Sequence, residues 1–203
     1  MPWPENDHRV RLSMVLGKDD SFLEFLDEPA KGEIWGIQNW ATYKKSADGE
    51  IMFEKDNDIW FWLPTYSYFT QLPYRIIEGE VIAFAGEREM NGSHYDTVFI
   101  TWEQAEPLEN IDQYVIYINK KTGYLDRVDY TIRDMGHWMV GAMYYGDTRM
   151  VDGIPVAHRQ SAGDLFNGDD VVHQAEFTAI EYIEALNEPM FYPDKSRIAS
   201  KYQ

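Results

Sequence analysis

Tyr114-Val115-Ile116-Tyr117-Ile118, followed by Asn119-Lys120-Lys121-Thr122-Gly123 and then by Tyr124 through Asp134, is the stretch whose reading decides the fold. The first five residues are all β-branched or aromatic, the composition of a pleated and half-buried strand. The polar run after them ends in Gly123, which supplies the left-handed residue that a tight connection needs. On the way back, Val128, Tyr130 and Ile132 point one way, while Arg127, Asp129, Thr131 and Arg133 point the other. The spacing therefore predicts an antiparallel hairpin in a sheet with one apolar and one wet side.

Working outward, the same grammar repeats. Val10, Leu12, Met14 and Leu16 alternate with Arg9, Arg11, Ser13 and Val15, and short apolar runs follow at Phe22 to Leu26, Glu33 to Tyr43 and Ile51 to Phe53. Asp48-Gly49, Asn91-Gly92 and Asp152-Gly153 mark turns between such runs. Asn91-Gly92-Ser93 is formally a glycosylation acceptor, but its place between two strands reads as a turn. Trp138, Val140, Ala142 and Tyr144 continue the alternation. Ile59 to Leu63 reads as a strand, and Pro64 and Pro73 bracket Thr65 to Leu72 as a covering loop or single turn. Val171 to Leu186 fits a helical or an extended period, and its β-branched and aromatic content favours a closing strand. The pattern predicts a mainly β chain with a few short helices or loops, one domain over 1–203, and a polar tail from about 193 that docks loosely.

Composition narrows the function. Eighteen Lys and Arg face 35 Asp and Glu, and a net charge of −17 repels nucleic-acid backbones and anionic lipid surfaces. Cysteine is absent, which removes disulfides, thiolate metal sites and Cys nucleophiles. Met1 to His8 lacks the apolar core of a secretion signal, and no stretch reaches the roughly 18 apolar residues of a membrane span. A chain released from such a signal would read the same, so an envelope and a cytoplasmic home both stay open.

The aromatic content, 15% of the chain, is the chemical feature to explain. As a strand, Ile59 to Leu63 puts Trp60 and Trp62 on one face, with Tyr66, Tyr68 and Phe69 just beyond. Trp102, Tyr114, Tyr117, Trp138 and Tyr144 extend the set. These ten side chains are the candidate ligand-binding residues; the plain alternative is that they fill a wide β core. His8, His94, His137, His158 and His173 show no zinc spacing, and the acidic loop Asp164 to Asp170 does not match a calcium-binding pattern. Neither a metal nor a cofactor is expected. No nucleophile elbow, phosphate-binding loop or dinucleotide fingerprint occurs, which favours a binding module over an enzyme.

Five blocks carry a resemblance: Leu63-Pro64-x-Tyr66 with Leu72-Pro73-Tyr74-Arg75, Ile111 through Gly123, Val151 through Val156, and Asn187 through Pro193, in that order. Together they resemble bacterial proteins related to outer-membrane lipoprotein carriers of the LolA/LolB type. The resemblance implies a strongly curved antiparallel sheet, an open half-barrel, whose apolar concave face is covered by short helices or loops. It also implies an envelope or periplasmic location and an apolar or amphipathic, lipid-like ligand held without catalysis. The long amphipathic N-terminal helix of the carriers is not evident here. From the residues alone, a carbohydrate-active enzyme or sugar-binding module with Trp platforms and acidic residues is the second reading, and an envelope protein with a partner-docking apolar face is the third.

Overall fold

A computed structural model describes residues 7–165 and 171–199. The chain is mainly β, as the alternation predicts. Its strands form two antiparallel meanders, one of five strands and one of seven, in which sequence neighbours are spatial neighbours throughout. The chain packs as two compact units, the first running to Tyr74 and resuming at Ile183, the second spanning Arg75–Tyr182.

The first unit holds β1 (Val10–Met14), β2 (Ser21–Phe25), β3 (Ile34–Gln38), β4 (Ala41–Lys45) and β5 (Ile51–Phe53). The apolar run from Glu33 to Tyr43 is two strands rather than one. Asn39 and Trp40 both adopt positive φ, 45° and 63°, the backbone that a tight hairpin turn requires. Without a glycine to mark it, that turn is silent in the sequence. Asp20 accepts a hydrogen bond from the Asn39 amide at 2.7 Å, and the Trp40 ring packs on Trp60 with centroids 5.7 Å apart.

One expectation is overturned here: Asn57 to Arg75 forms a single 19-residue helix, α1, in place of a strand and a loop. Both prolines lie inside it. Pro64 deprives the Trp60 carbonyl of its helical donor, a cost of about 3 kcal/mol in an exposed helix. Two features oppose that cost. The Asp56 side chain caps the start, accepting from the amides of Asp58 and Ile59 at 3.0 Å each. Ile59 and Leu63, one turn apart, bury themselves against Leu23, Phe25 and Ile37. Burial of each such side chain is worth about 1.5–3 kcal/mol, so packing outweighs the local penalty. Burial alone would raise the Asp56 carboxyl, but Lys44 Nζ at 2.7 Å and the two capping amides hold it below its usual value.

The last residues return to this unit. Asn187 leads into the one-turn helix α2 (Glu188–Phe191). Phe191 packs on Phe22, the Tyr192 hydroxyl donates to Asp20 at 2.7 Å, and the buried Gln38 amide donates to the carbonyls of Asp194 and Arg197.

The second unit is the seven-stranded sheet: β6 (Val81–Met90), β7 (Ser93–Thr101), β8 (Gln113–Asn119), β9 (Leu125–Thr131), β10 (Val140–Val151), β11 (Ile154–Gly163) and β12 (Val171–Glu176). Asn91-Gly92 and Asp152-Gly153 turn its long hairpins with positive φ at both residues, and Gly123 has φ 73°, as read from the sequence. The closing strand is shorter than expected. β12 stops at Glu176, and 177–186 run without regular structure. The sheet is open, with β6 and β12 at its edges.

Candidate functional site

Strand register sorts the second unit's side chains into two faces. Ile82 pairs with Ile100, Ile100 with Tyr114, Tyr114 with Tyr130, and Tyr130 with Gly141, which makes one apolar ladder across five strands. Two residues along, Phe84, Val98, Ile116, Val128 and Met143 form a second. Period-two alternation puts both ladders on one face.

The ladders are not equally covered along their length. Ile100, Ile116 and Val128 are at most 1% exposed, whereas on the edge strand β6 Ile82 is 46% and Phe84 66% exposed. Aromatic rings line one end of this face. Trp102, just past β7, meets Tyr114 edge-on at 5.5 Å, and Tyr114 meets Tyr130 at 6.1 Å. Tyr130 lies over Gly141, where a β-carbon would sit 2.9 Å from its hydroxyl oxygen. A side chain at 141 would have to displace that ring, which occupies its space.

The opposite face is built around Arg127. Its guanidinium lies between the rings of Tyr117 and Tyr144, 5.4 and 5.2 Å from their centroids. Nε donates to Asp129 at 2.5 Å and Nη2 to the Leu165 carbonyl at 2.9 Å. The Tyr117 hydroxyl donates to the other Asp129 oxygen at 2.7 Å. Burial, and then the carboxylate beside it, push the Tyr117 hydroxyl up to about 12.

The ten sequence-selected aromatics therefore fall in different places. Trp60, Trp62, Tyr66, Tyr68 and Phe69 all lie on α1. Positions two apart on a helix diverge, so Trp60 turns to Trp40 while Trp62 meets Phe61 and Tyr66. Trp102 and Tyr114 share the apolar face. Tyr117 and Tyr144 belong to the Arg127 face, and Trp138 sits between β9 and β10, 74% exposed. Sequence reasoning missed Tyr130, Ile82 and Phe84. Tyr130 was legible as a neighbour of Val128 on the apolar side of the return strand; the exposure of Ile82 and Phe84 has no sequence signal.

Two surface pockets, of about 320 and 270 Å³, are lined largely by polar residues and do not involve the ladders. Among the described residues, no group of three or more His, Asp or Glu side chains is placed to hold a metal ion. Of the acidic loop considered for calcium, 166–170 lie outside the described residues. No described helix is long and apolar enough to cross a membrane.

No protein-family profile and no curated protein matches the chain. Solved structures do. A DUF1329 family protein from Desulfovibrio piger superposes with a TM-score of 0.53 at 12% identity, over 84% of this chain and 74% of that one. A LolA superfamily protein from Nitrosomonas europaea gives 0.49 at 9% identity, over 93% and 84%. A putative outer membrane lipoprotein-sorting protein domain from Vibrio parahaemolyticus gives 0.47 at 12% identity, over 79% and 72%. The chain thus has the fold class of the first of these, a likeness of fold alone.

Proposed function

We propose that this chain is a non-catalytic binding protein that holds an apolar or amphipathic, lipid-like molecule against the apolar face of its seven-stranded sheet, in the cell envelope. One observation carries the reading. The two apolar ladders run from a buried centre out to exposed Ile82 and Phe84, so the face presents apolar surface continuous with its core. Isolated exposed apolar residues are ordinary, but a pair in adjoining rows that extends a core face is what a greasy ligand completes. Trp102 and Tyr114 serve as the aromatic wall of this site. The envelope location rests on the resemblance of the sequence blocks to lipoprotein carriers.

The test is native mass spectrometry of protein purified from cells, with organic extraction of whatever it retains. A stoichiometric lipid or other apolar molecule supports the proposal and names the ligand class. A chain that arrives empty and also fails to take up a hydrophobic fluorescent probe overturns it and shifts the weight to sugar binding or partner docking.

A further inference from the structure

A pocket of about 320 Å³ opens in the second unit where the β10–β11 ladder skips one residue pair and β11 meets the end of β12. Gly146 pairs with Arg159 and Thr148 with Ala157, and between them Asp147, at φ 51°, and His158 stand opposite each other without a ladder pairing. Asp147 is taken up first by Arg149, whose Nε and Nη2 donate to its two oxygens, and it also feels the charge of Arg159. What remains in the pocket is less settled.

Arg159 and Glu176 are cross-strand partners, yet they form no ion pair. Glu176 instead accepts from the Gln174 amide at 3.1 Å. Arg159 makes no hydrogen bond or ion pair with any described residue. Its guanidinium lies across Gly146, where an added β-carbon would meet Nη2 at 2.7 Å. His158 is only 6% exposed and lines the same pocket. Its Nδ1 is 3.0 Å from the Val156 carbonyl oxygen, which can only accept, so Nδ1 carries the proton. In that tautomer Nε2 is an acceptor with no hydrogen-bond partner among the described residues, on the pocket's lining. Phe177 supplies the pocket's apolar wall.

We propose that this pocket binds a small monocarboxylate that also carries a hydrogen-bond donor, a hydroxy acid or amino acid. The unpaired Arg159 fork matches a carboxylate in shape and charge. His158 Nε2 and the Glu176 carboxylate are both acceptors, so they take the hydroxyl or ammonium group, and the Phe177 ring covers the carbon chain. A second negative charge on the ligand would meet Asp147 and Glu176, which disfavours phosphate and dicarboxylates.

The experiment follows the imidazole carbon-bound proton signals by NMR, with His158 assigned by comparison with H158Q, during titration with L-lactate, L-alanine, acetate and inorganic phosphate. The expected result is a saturable shift of the His158 signal with lactate or alanine, weakened at least about tenfold in R159Q, since a charge-assisted contact is lost. G146A keeps the charge but displaces the guanidinium, and is expected to weaken the same titration. Arg159 is exposed and the Gly146 contact is with the flexible end of a side chain, so both variants should fold. Absence of a saturable shift with either donor-bearing acid, an unchanged titration in R159Q, or equally tight binding of acetate or phosphate would overturn the proposal.

Discussion

The two faces of the seven-stranded sheet are made by the same strands in the same register, yet they are held by different physics. On one, Ile100, Ile116 and Val128 are stacked by apolar burial, which has no direction and no fixed stoichiometry. On the other, Arg127 is fixed by two rings, a carboxylate and a carbonyl, each at a set distance. The polar face is a nearly completed network, with the Tyr144 hydroxyl as its buried group lacking a hydrogen-bond partner. The apolar face is unfinished where it reaches β6. Non-directional burial can be continued by a ligand of unspecified shape, and this is why the lipid-like ligand is proposed for the apolar face.

The contrast breaks most visibly at the centre of the apolar ladder. Val128→Asp would bury a carboxylate with no partner, and is expected to cost about 4 kcal/mol or more, read as loss of the cooperative urea transition. A loss below about 1 kcal/mol would mean that this face is not a core. On the polar face, Arg127→Met leaves Asp129 partly buried without its cation. The expected cost is about 2–3 kcal/mol, less than for a fully buried pair because both side chains keep some solvent contact. Adding Asp129→Asn should recover part of it in a double-mutant cycle.

A smaller effect tests the Tyr117 hydroxyl. Its folded pKa of about 12 lies above the ordinary tyrosine value of 10.0, so the folded state holds the proton more tightly. That stability is fully present below about pH 10 and is lost as the pH rises through 12. Tyr192, also pushed up to about 12, contributes in the same window from the first unit. Thermal melting across that window should therefore show a shallower decline in Y117F than in the wild type, with Tyr192 and the other tyrosines whose hydroxyls are pushed up by burial, Tyr43, Tyr66 and Tyr95, supplying what is left. The smallest stability effect belongs to Phe84→Ser, expected within about 0.5 kcal/mol because the ring is already mostly in water.

Much of this was legible from the chain. The alternation around Arg127 and Val128 assigned both faces of β9 correctly, since a buried sheet face enforces a period of two. Turns that carry glycine, at Asn91-Gly92, Gly123 and Asp152-Gly153, were equally readable. The turn at Asn39-Trp40 was not, because Trp40 holds the positive φ that glycine usually takes beside an Asn. α1 was hidden by two prolines that argue against a helix locally, while the evidence for it lay in the Asp56 cap and the spacing of Ile59 and Leu63. The site was legible only in part. Trp102 and Tyr114 stood out as aromatics, but no one-dimensional pattern separates a covered apolar row from the uncovered end of the same row, and Ile82 and Phe84 differ from Ile100 and Val98 only in what lies above them.

The most direct test of the central claim is the titration of a fluorescent fatty-acid analogue into the wild type and into the I82S/F84S double variant, with folding checked by circular dichroism. Saturable binding by the wild type, weakened several-fold in the double variant at nearly unchanged stability, is the predicted result. Equal affinity in both proteins, or no saturable binding by the wild type, would contradict the assignment of the ligand to the apolar face.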